Sequence, residues 1–431
     1  MLEARDPQLP SRRALLRGAT GALATGAFLA GSILDGFASL RAATDVLQGR
    51  GMSCILLWMQ GGPSQFETFD PKPDHRHGGP TRAIDTSVAG IQVAEHWPRT
   101  AGVMEDICLI RSMTNREGNH QRATYQLLTG YVPSGSVKYP TFGSVVSQEV
   151  APSESELPSY VVLGGSRGHP GAGILGAEHE PFLLRSAEKP PQNIDPGVST
   201  SRFRRRLGLL GELEEPYGRG AGAKSVAERA ALYRRAGRMV LSERLQAFEL
   251  EREPGSVRDE YGKAGFARNC LLARRLVEAG VTFVEVRSRG WDTHANNFDR
   301  VKELSAGVDR GFATLLQDLR RRGLLEKTLV VWMGEFGRTP KINPRSGRDH
   351  FPRAFSVALA GGGTRGGQVI GATSPDGAEV RSRPVTVPDF FCTVAQGLGI
   401  DPRRENDSSM GRPIKIVDGG SAVTEVFGSS V

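Results

Sequence analysis

Residues able to hold a divalent cation gather in a few short, Gly-containing segments of this chain. Gly290-Trp291-Asp292-Thr293-His294, Gly334-Glu335-Phe336-Gly337-Arg338-Thr339 and Gly347-Arg348-Asp349-His350-Phe351-Pro352 each carry a carboxylate, and two of them add a His. A fourth, running from Gln60-Gly61-Gly62-Pro63-Ser64 to Glu67 and Asp70, adds two carboxylates and a hydroxyl. Two Asp/His pairs and a Glu make a mixed nitrogen and oxygen donor set of the kind that suits Zn²⁺ or Mn²⁺. A single Asp-x-His in a loop reads as a turn or a cap. The same chemistry repeated in several loops reads as a site.

Those loops follow apolar runs. Cys54–Met59, Ile107–Ile110, Tyr160–Leu163, Thr282–Val286, Thr328–Met333 and Phe355–Ala360 are short, bounded by Gly or polar residues, and read as buried strands. Between them the period changes to that of helices over Ala227–Glu251, Phe266–Ala279 and Val301–Arg322, with a late helix over Val385–Leu398. Helix, Gly, strand is the rhythm of an α/β fold with a mostly parallel central sheet flanked by helices. In such sheets ligands bind beyond the carboxyl ends of the strands, where the metal-capable segments fall. The Gly- and Pro-rich stretch 167–222 reads as an insertion or lid, and 420–431 as a flexible tail.

Composition narrows the function classes. The 431 residues are 39% hydrophobic and 24% charged, which excludes collagen-like, coiled-coil and wholly disordered chains. The net charge of +8 comes from 55 Lys and Arg set among 47 acids. The densest basic run, Arg202 with Arg204-Arg205-Arg206, has one interleaved aromatic, Phe203, so no nucleic-acid partner is expected. At the N-terminus Ser11-Arg12-Arg13 precedes a Gly/Ala-rich, uncharged run over Gly18–Leu34. This pattern predicts a cleaved twin-arginine signal over 1–43, hence the export machinery as a partner and a periplasmic or extracellular protein. With that run removed no stable membrane span is expected, since a span takes about 20 apolar residues. Cys54, Cys108, Cys270 and Cys392 lie in or beside apolar runs and read as buried thiols.

Taken together, Gly61-Gly62-Pro63-Ser64 through Pro73, Arg111-Ser112-Met113-Thr114, His120-Gln121-Arg122-Ala123-Thr124 through Gly130, and the three segments around Asp292, Glu335 and His350 resemble the exported family called domain of unknown function 1501. That family in turn resembles the alkaline phosphatase/sulfatase superfamily, with the likeness running from about Cys54 to about Pro402. The resemblance implies an alkaline phosphatase-like domain over 44–419 and a metal-dependent hydrolase acting on a small or polymeric phosphate or sulfate ester. It implies metal ligation by Asp292, His294, Glu335, Asp349 and His350, with Glu67 or Asp70 replacing a strand-end carboxylate where Gln60-Gly61-Gly62 stands. A divalent cation is the expected cofactor, Zn²⁺ ahead of Mn²⁺ or Ca²⁺. The nucleophile position of sulfatases falls on His120, so there is no Cys or Ser to become formylglycine. His120 is therefore read as a ligand ahead of a nucleophile, Ser64 as the available hydroxyl, and Arg122 and Arg338 as the guanidinium groups that stabilise developing charge. The competing reading is a catalytically inactive binding or structural module on the same framework.

Overall fold

The computed structural model describes residues 51–165, 168–189, 191–219, 222–408 and 411–428. The expected signal over 1–43 lies outside them. Nine strands form the main sheet: β1 (Ser53–Gln60), β2 (Ile107–Thr114), β3 (Tyr160–Leu163), β4 (Phe182–Leu184), β5 (Phe283–Arg289), β6 (Thr328–Met333), β7 (Phe355–Ala360), β8 (Gln368–Ile370) and β9 (Val385–Thr386). Their order is β8-β2-β7-β6-β1-β5-β3-β4, with β9 beside β2. All pairings are parallel except those of β7, which runs antiparallel to both β6 and β2. The expected mostly parallel α/β sheet is therefore present, with one reversed strand.

That reversal positions the site. A strand running against its neighbours begins at the edge where they end. The segment preceding β7, which carries Asp349 and His350, therefore meets the segments following β1, β2, β5 and β6. Centrally placed β1 is apolar without alternation because helices cover both faces of the sheet. On one face α5 (Gly265–Glu278) packs against α6 (Asn297–Arg321), which buries Val301, Val308, Phe312, Leu315 and Leu319 along one stripe. On the other lie α1 (His120–Thr129), α2 (Phe142–Glu149) and α7 (Val387–Gly397), over Trp58, Phe283 and Val331.

Five expectations change in detail, the first being the helix expected over Val385–Leu398, which is strand β9 followed by α7. The helix expected over Ala227–Glu251 is α4 (Ala223–Val240) followed by a 3₁₀ segment, Glu243–Phe248. The break falls at Ser242, whose hydroxyl accepts from the Arg244 N–H at 3.0 Å and restarts the chain. Helix α6 starts four residues ahead of the expected Val301, its first turn carrying three polar residues, Asn297, Asp299 and Arg300, around Phe298. The stretch expected as a lid supplies edge strand β4 and helix α3 (Thr200–Glu214), so part of it belongs to the sheet. Within the expected tail, Thr424–Phe427 forms a 3₁₀ turn that buries Val426 beside Val423. The four cysteines are free and buried.

Candidate metal centre

At the strand ends His120, Asp292, His294 and His350 each offer one ligand atom, and these atoms lie within 4.8 Å of one another. His120 opens α1, whose N-cap Asn119 accepts from the Arg122 N–H and fixes where the helix begins. Asp292 and His294 sit in the turn after β5, and His350 in a two-residue ribbon paired with Gly337–Arg338.

Glycines make this convergence sterically feasible. Gly61 holds φ +119°, and a Cβ there would lie 2.3 Å from the Asp292 nitrogen. A Cβ on Gly347 would lie 2.1 Å from the His294 carbonyl. Gly61 therefore stands where a strand-end carboxylate was expected because the Asp292 backbone fills that space.

Elementary hydrogen-bond chemistry fixes the imidazoles. His350 Nδ1 faces the Gly118 carbonyl at 2.8 Å, and a carbonyl only accepts, so that nitrogen carries the proton. His294 Nδ1 faces Asp349 Oδ1 at 2.9 Å, and His120 Nδ1 faces Glu335 Oε1 at 2.8 Å. In the neutral rings, all three Nε2 atoms are then left with lone pairs, and all three point at one place. His294 Nε2 and His350 Nε2 stand 2.9 Å apart. Asp292 Oδ1 lies 3.2, 3.1 and 3.4 Å from the Nε2 atoms of His120, His294 and His350. His120 Nε2 and Glu335 Oε2 are buried without a hydrogen-bond partner. Facing lone pairs around a carboxylate oxygen repel unless a cation or added protons lie between them, and a divalent cation meets all four at once.

Surrounding groups hold this set in place. Arg338 is fully buried and donates to Asp292 Oδ1 at 2.7 Å, to Gly62 O at 2.9 Å, to Arg348 O at 3.1 Å, to Trp291 O at 3.2 Å and to Gly61 O. Burial opposes the charge on Asp292, but Arg338 and then His120 overcome it and hold its carboxyl down at about 2. His120 is raised from its ordinary value, chiefly by its hydrogen bond to Glu335, against burial. His350 is lowered by burial, aided by the charges of His120, Arg338 and His294. Asp349 is lowered by its hydrogen bond to His294.

The remaining sequence candidates lie elsewhere or act differently. Glu335 and Asp349, expected as ligands, orient His120 and His294 through their Nδ1 atoms. Gly61 N–H donates to Glu335 at 2.9 Å, and Asn343 Nδ2 donates to Asp349 at 3.2 Å. Glu67, also expected as a ligand, does not reach the cluster: its carboxylate accepts from Arg348 at 2.8 Å and Asn297 at 2.9 Å, all three buried. Asp70 binds Lys72 and Thr373. Ser64 is buried, its hydroxyl without a partner and its carbonyl holding Thr68. Arg122 turns outward to Glu117 at 2.7 Å. Arg338 positions Asp292 and the loops, with its donors already engaged, rather than standing free to meet developing charge.

A cleft of about 570 Å³ opens beside the cluster, lined among others by Gln60, His120, Tyr125, Arg287, Arg289, Asp292 and Glu335. Sequence reasoning missed Arg287 and Arg289. Alternation along β5 was the available signal: Glu285, Arg287 and Arg289 interrupt an apolar strand at every second residue. It also missed His169, expected in solvated loop, which is buried against Tyr160 at 3.0 Å and Glu285 at 3.2 Å.

Residues 52–427 match the model of the family described as protein of unknown function (DUF1501). The chain belongs to that family. No curated protein sequence matches it. Three of the solved structures with distant likeness serve as examples. The lipoteichoic acid synthase LtaP from Listeria monocytogenes is 10% identical at TM-score 0.39, over 87% of this chain and 76% of that one. The PsFucS1 sulfatase from Pseudoalteromonas sp. is 15% identical at 0.40, over 83% and 70%. The phosphonate monoester hydrolase of Agrobacterium radiobacter is 12% identical at 0.32, over 88% and 78%.

Proposed function

We propose that this chain is a metal-dependent hydrolase of a phosphate or sulfate ester, with His120, Asp292, His294 and His350 as its ligands. The observation that carries this reading is the convergence of three imidazole Nε2 atoms and one carboxylate oxygen within 4.8 Å, every Nδ1 being already engaged. A nitrogen-rich set with one carboxylate suits Zn²⁺ first, then Mn²⁺, and poorly suits Ca²⁺. When bound, such an ion would polarise an ester oxygen and make water a competent nucleophile near neutral pH.

The chain's own residues prepare that chemistry. Glu335, Asp349 and the Gly118 carbonyl keep the protons on the three Nδ1 atoms, so the Nε2 lone pairs face inward. Arg338 keeps Asp292 ionised and fixes the backbone it hangs from. Asp292 is half exposed, and the cleft gives an ester access to it. Glu335 Oε2, buried and unpartnered at the cleft wall, is placed to accept a proton.

The twin-arginine signal and a periplasmic or extracellular location remain part of this proposal, resting on the sequence of 1–43. Among the described residues no helix is long and apolar enough to cross a membrane. An inactive binding module is the second reading, favoured by the removal of Ser64 from the cleft. Zn²⁺- or Mn²⁺-loaded protein is to be assayed against panels of aryl and sugar phosphate and sulfate esters. Turnover that is lost in Asp292→Ala supports the hydrolase. Stoichiometric metal without turnover on any ester supports the binding module.

A further inference from the structure

The cleft beside the metal ligands needs a donor for the oxygens of its anionic substrate, and three arginines can be compared for that role. Arg122 is half exposed, paired with Glu117, and not among the cleft-lining residues. Arg338 is buried and spends its guanidinium on four carbonyls and Asp292. Arg287 differs from both. It lines the cleft, its side chain is only 4% exposed, and its Nη2 has no hydrogen-bond partner. A buried guanidinium nitrogen left unpaired costs free energy unless a ligand completes it.

Its surroundings are built to hold it there. Arg287 Nε donates to Glu285 Oε1 at 2.6 Å. The other oxygen, Glu285 Oε2, accepts from Tyr160 Oη at 2.7 Å and lies 3.2 Å from His169 Nε2. Glu285 is fully buried in the middle of β5, an expensive place for a carboxylate with no task. It braces the guanidinium through Nε and leaves the buried Nη2 beside it without a partner. Two residues on, Arg289 adds a second cation to the same cleft, its Nη2 donating to Gly164 O at 2.8 Å. Both side chains lie on the β5 face that turns toward α1, the helix carrying His120.

We propose that Arg287, braced by Glu285, is the group that recognises the substrate, through its Nη2 donating to an oxygen of a tetrahedral oxyanion, phosphoryl or sulfuryl. This deepens the hydrolase reading and rests on it for the identity of the substrate. The planar fork, not the charge alone, is what the site uses, so Lys is a poor replacement.

The test is calorimetric titration of inorganic phosphate and, separately, inorganic sulfate into the full chain, with and without loaded Zn²⁺. Arg287→Lys keeps a cation against Glu285, and the double variant Arg287→Gln/Glu285→Gln removes both charges should the first fail to fold. The expected result is anion affinity weaker by about tenfold or more in either variant, with metal content as in the parent and a cooperative unfolding transition retained. The preferred anion identifies the ester class. Unchanged affinity for both anions in a folded variant, or no anion binding by the parent, overturns the proposal while leaving a metal-loaded centre intact. Anion binding that needs Arg287 in a protein that takes up no metal would sustain it and overturn the hydrolase reading instead.

Discussion

Two buried arginines ten residues apart, Arg338 and Arg348, show how differently one chain treats its charges. Arg348 meets Glu67 in a pair with both side chains at 0% exposure, and Asn297, Thr339, Pro340 and the His77 carbonyl complete the remaining hydrogen bonds. Its ring neighbour Phe66 lies 4.4 Å beneath the guanidinium. Every charge there has its counterpart, and nothing is left to offer a ligand. Arg338 is as deeply buried but leads to an open arrangement, in which Asp292 faces three Nε2 atoms and a cleft. The closed set fastens the loops. The open set, with acceptor atoms outnumbering donors, is where the proposed cation would bind.

Breaking the closed set should give the largest effect on stability. Arg348→Met leaves the Glu67 carboxylate buried and uncompensated, at a cost of about 3–5 kcal/mol. A large fall in Tm with unchanged metal content per folded molecule is the expected outcome. Lost metal at unchanged Tm would instead return Glu67 to the ligands.

The open set predicts a different profile. Glu335→Gln keeps the shape but weakens the hold on His120 Nδ1, so metal affinity should fall about 10–100-fold with little change in Tm. Equilibrium dialysis against a metal buffer checks this, and unchanged affinity would remove Glu335 from any role at the centre.

A third buried assembly, Glu285 with Arg287, His169 and Tyr160, sharpens the comparison through pH. Burial alone would raise the Glu285 carboxyl, but these three partners hold it down at about 2, below its ordinary value of 4.5. Its ionised form therefore contributes stability that is complete above about pH 4.5 and is lost as pH falls toward 2. Urea unfolding across that window should show the loss in the parent and a flatter profile in Glu285→Gln. Equal slopes in the two proteins would contradict the assignment.

The smallest effect is expected at Ser64. Its buried hydroxyl has no partner, so Ser64→Ala should leave metal content unchanged and shift stability by less than about 1 kcal/mol.

Much of the fold was legible because its core strands are continuous apolar runs. Tyr160–Leu163, Thr328–Met333 and Phe355–Ala360 carry their burial in their composition, and their bounds match the structure. The reversed direction of β7 was not legible, since pairing direction is set by partners distant in sequence. The centre was legible as a set of residue types: Asp292, His294 and His350 lie together, and His120 joins them from α1. What the types could not reveal was the order of contact. Glu335, Asp349 and Glu67 are all acids in Gly-containing loops, yet two orient imidazoles and the third neutralises Arg348. Only the three-dimensional pairing of each carboxylate distinguishes them. Arg287 was hidden by the same logic, reading as one more Arg in a chain where Arg is abundant.

The central claim is that His120, Asp292, His294 and His350 hold a divalent cation. Metal analysis of the purified full chain, beside an Asp292→Ala/His350→Ala variant of unchanged Tm, tests it most directly. The account predicts at least one equivalent of Zn²⁺ or Mn²⁺ per chain in the parent and none above background in the variant. A folded parent that binds neither metal, even after reloading, would contradict it.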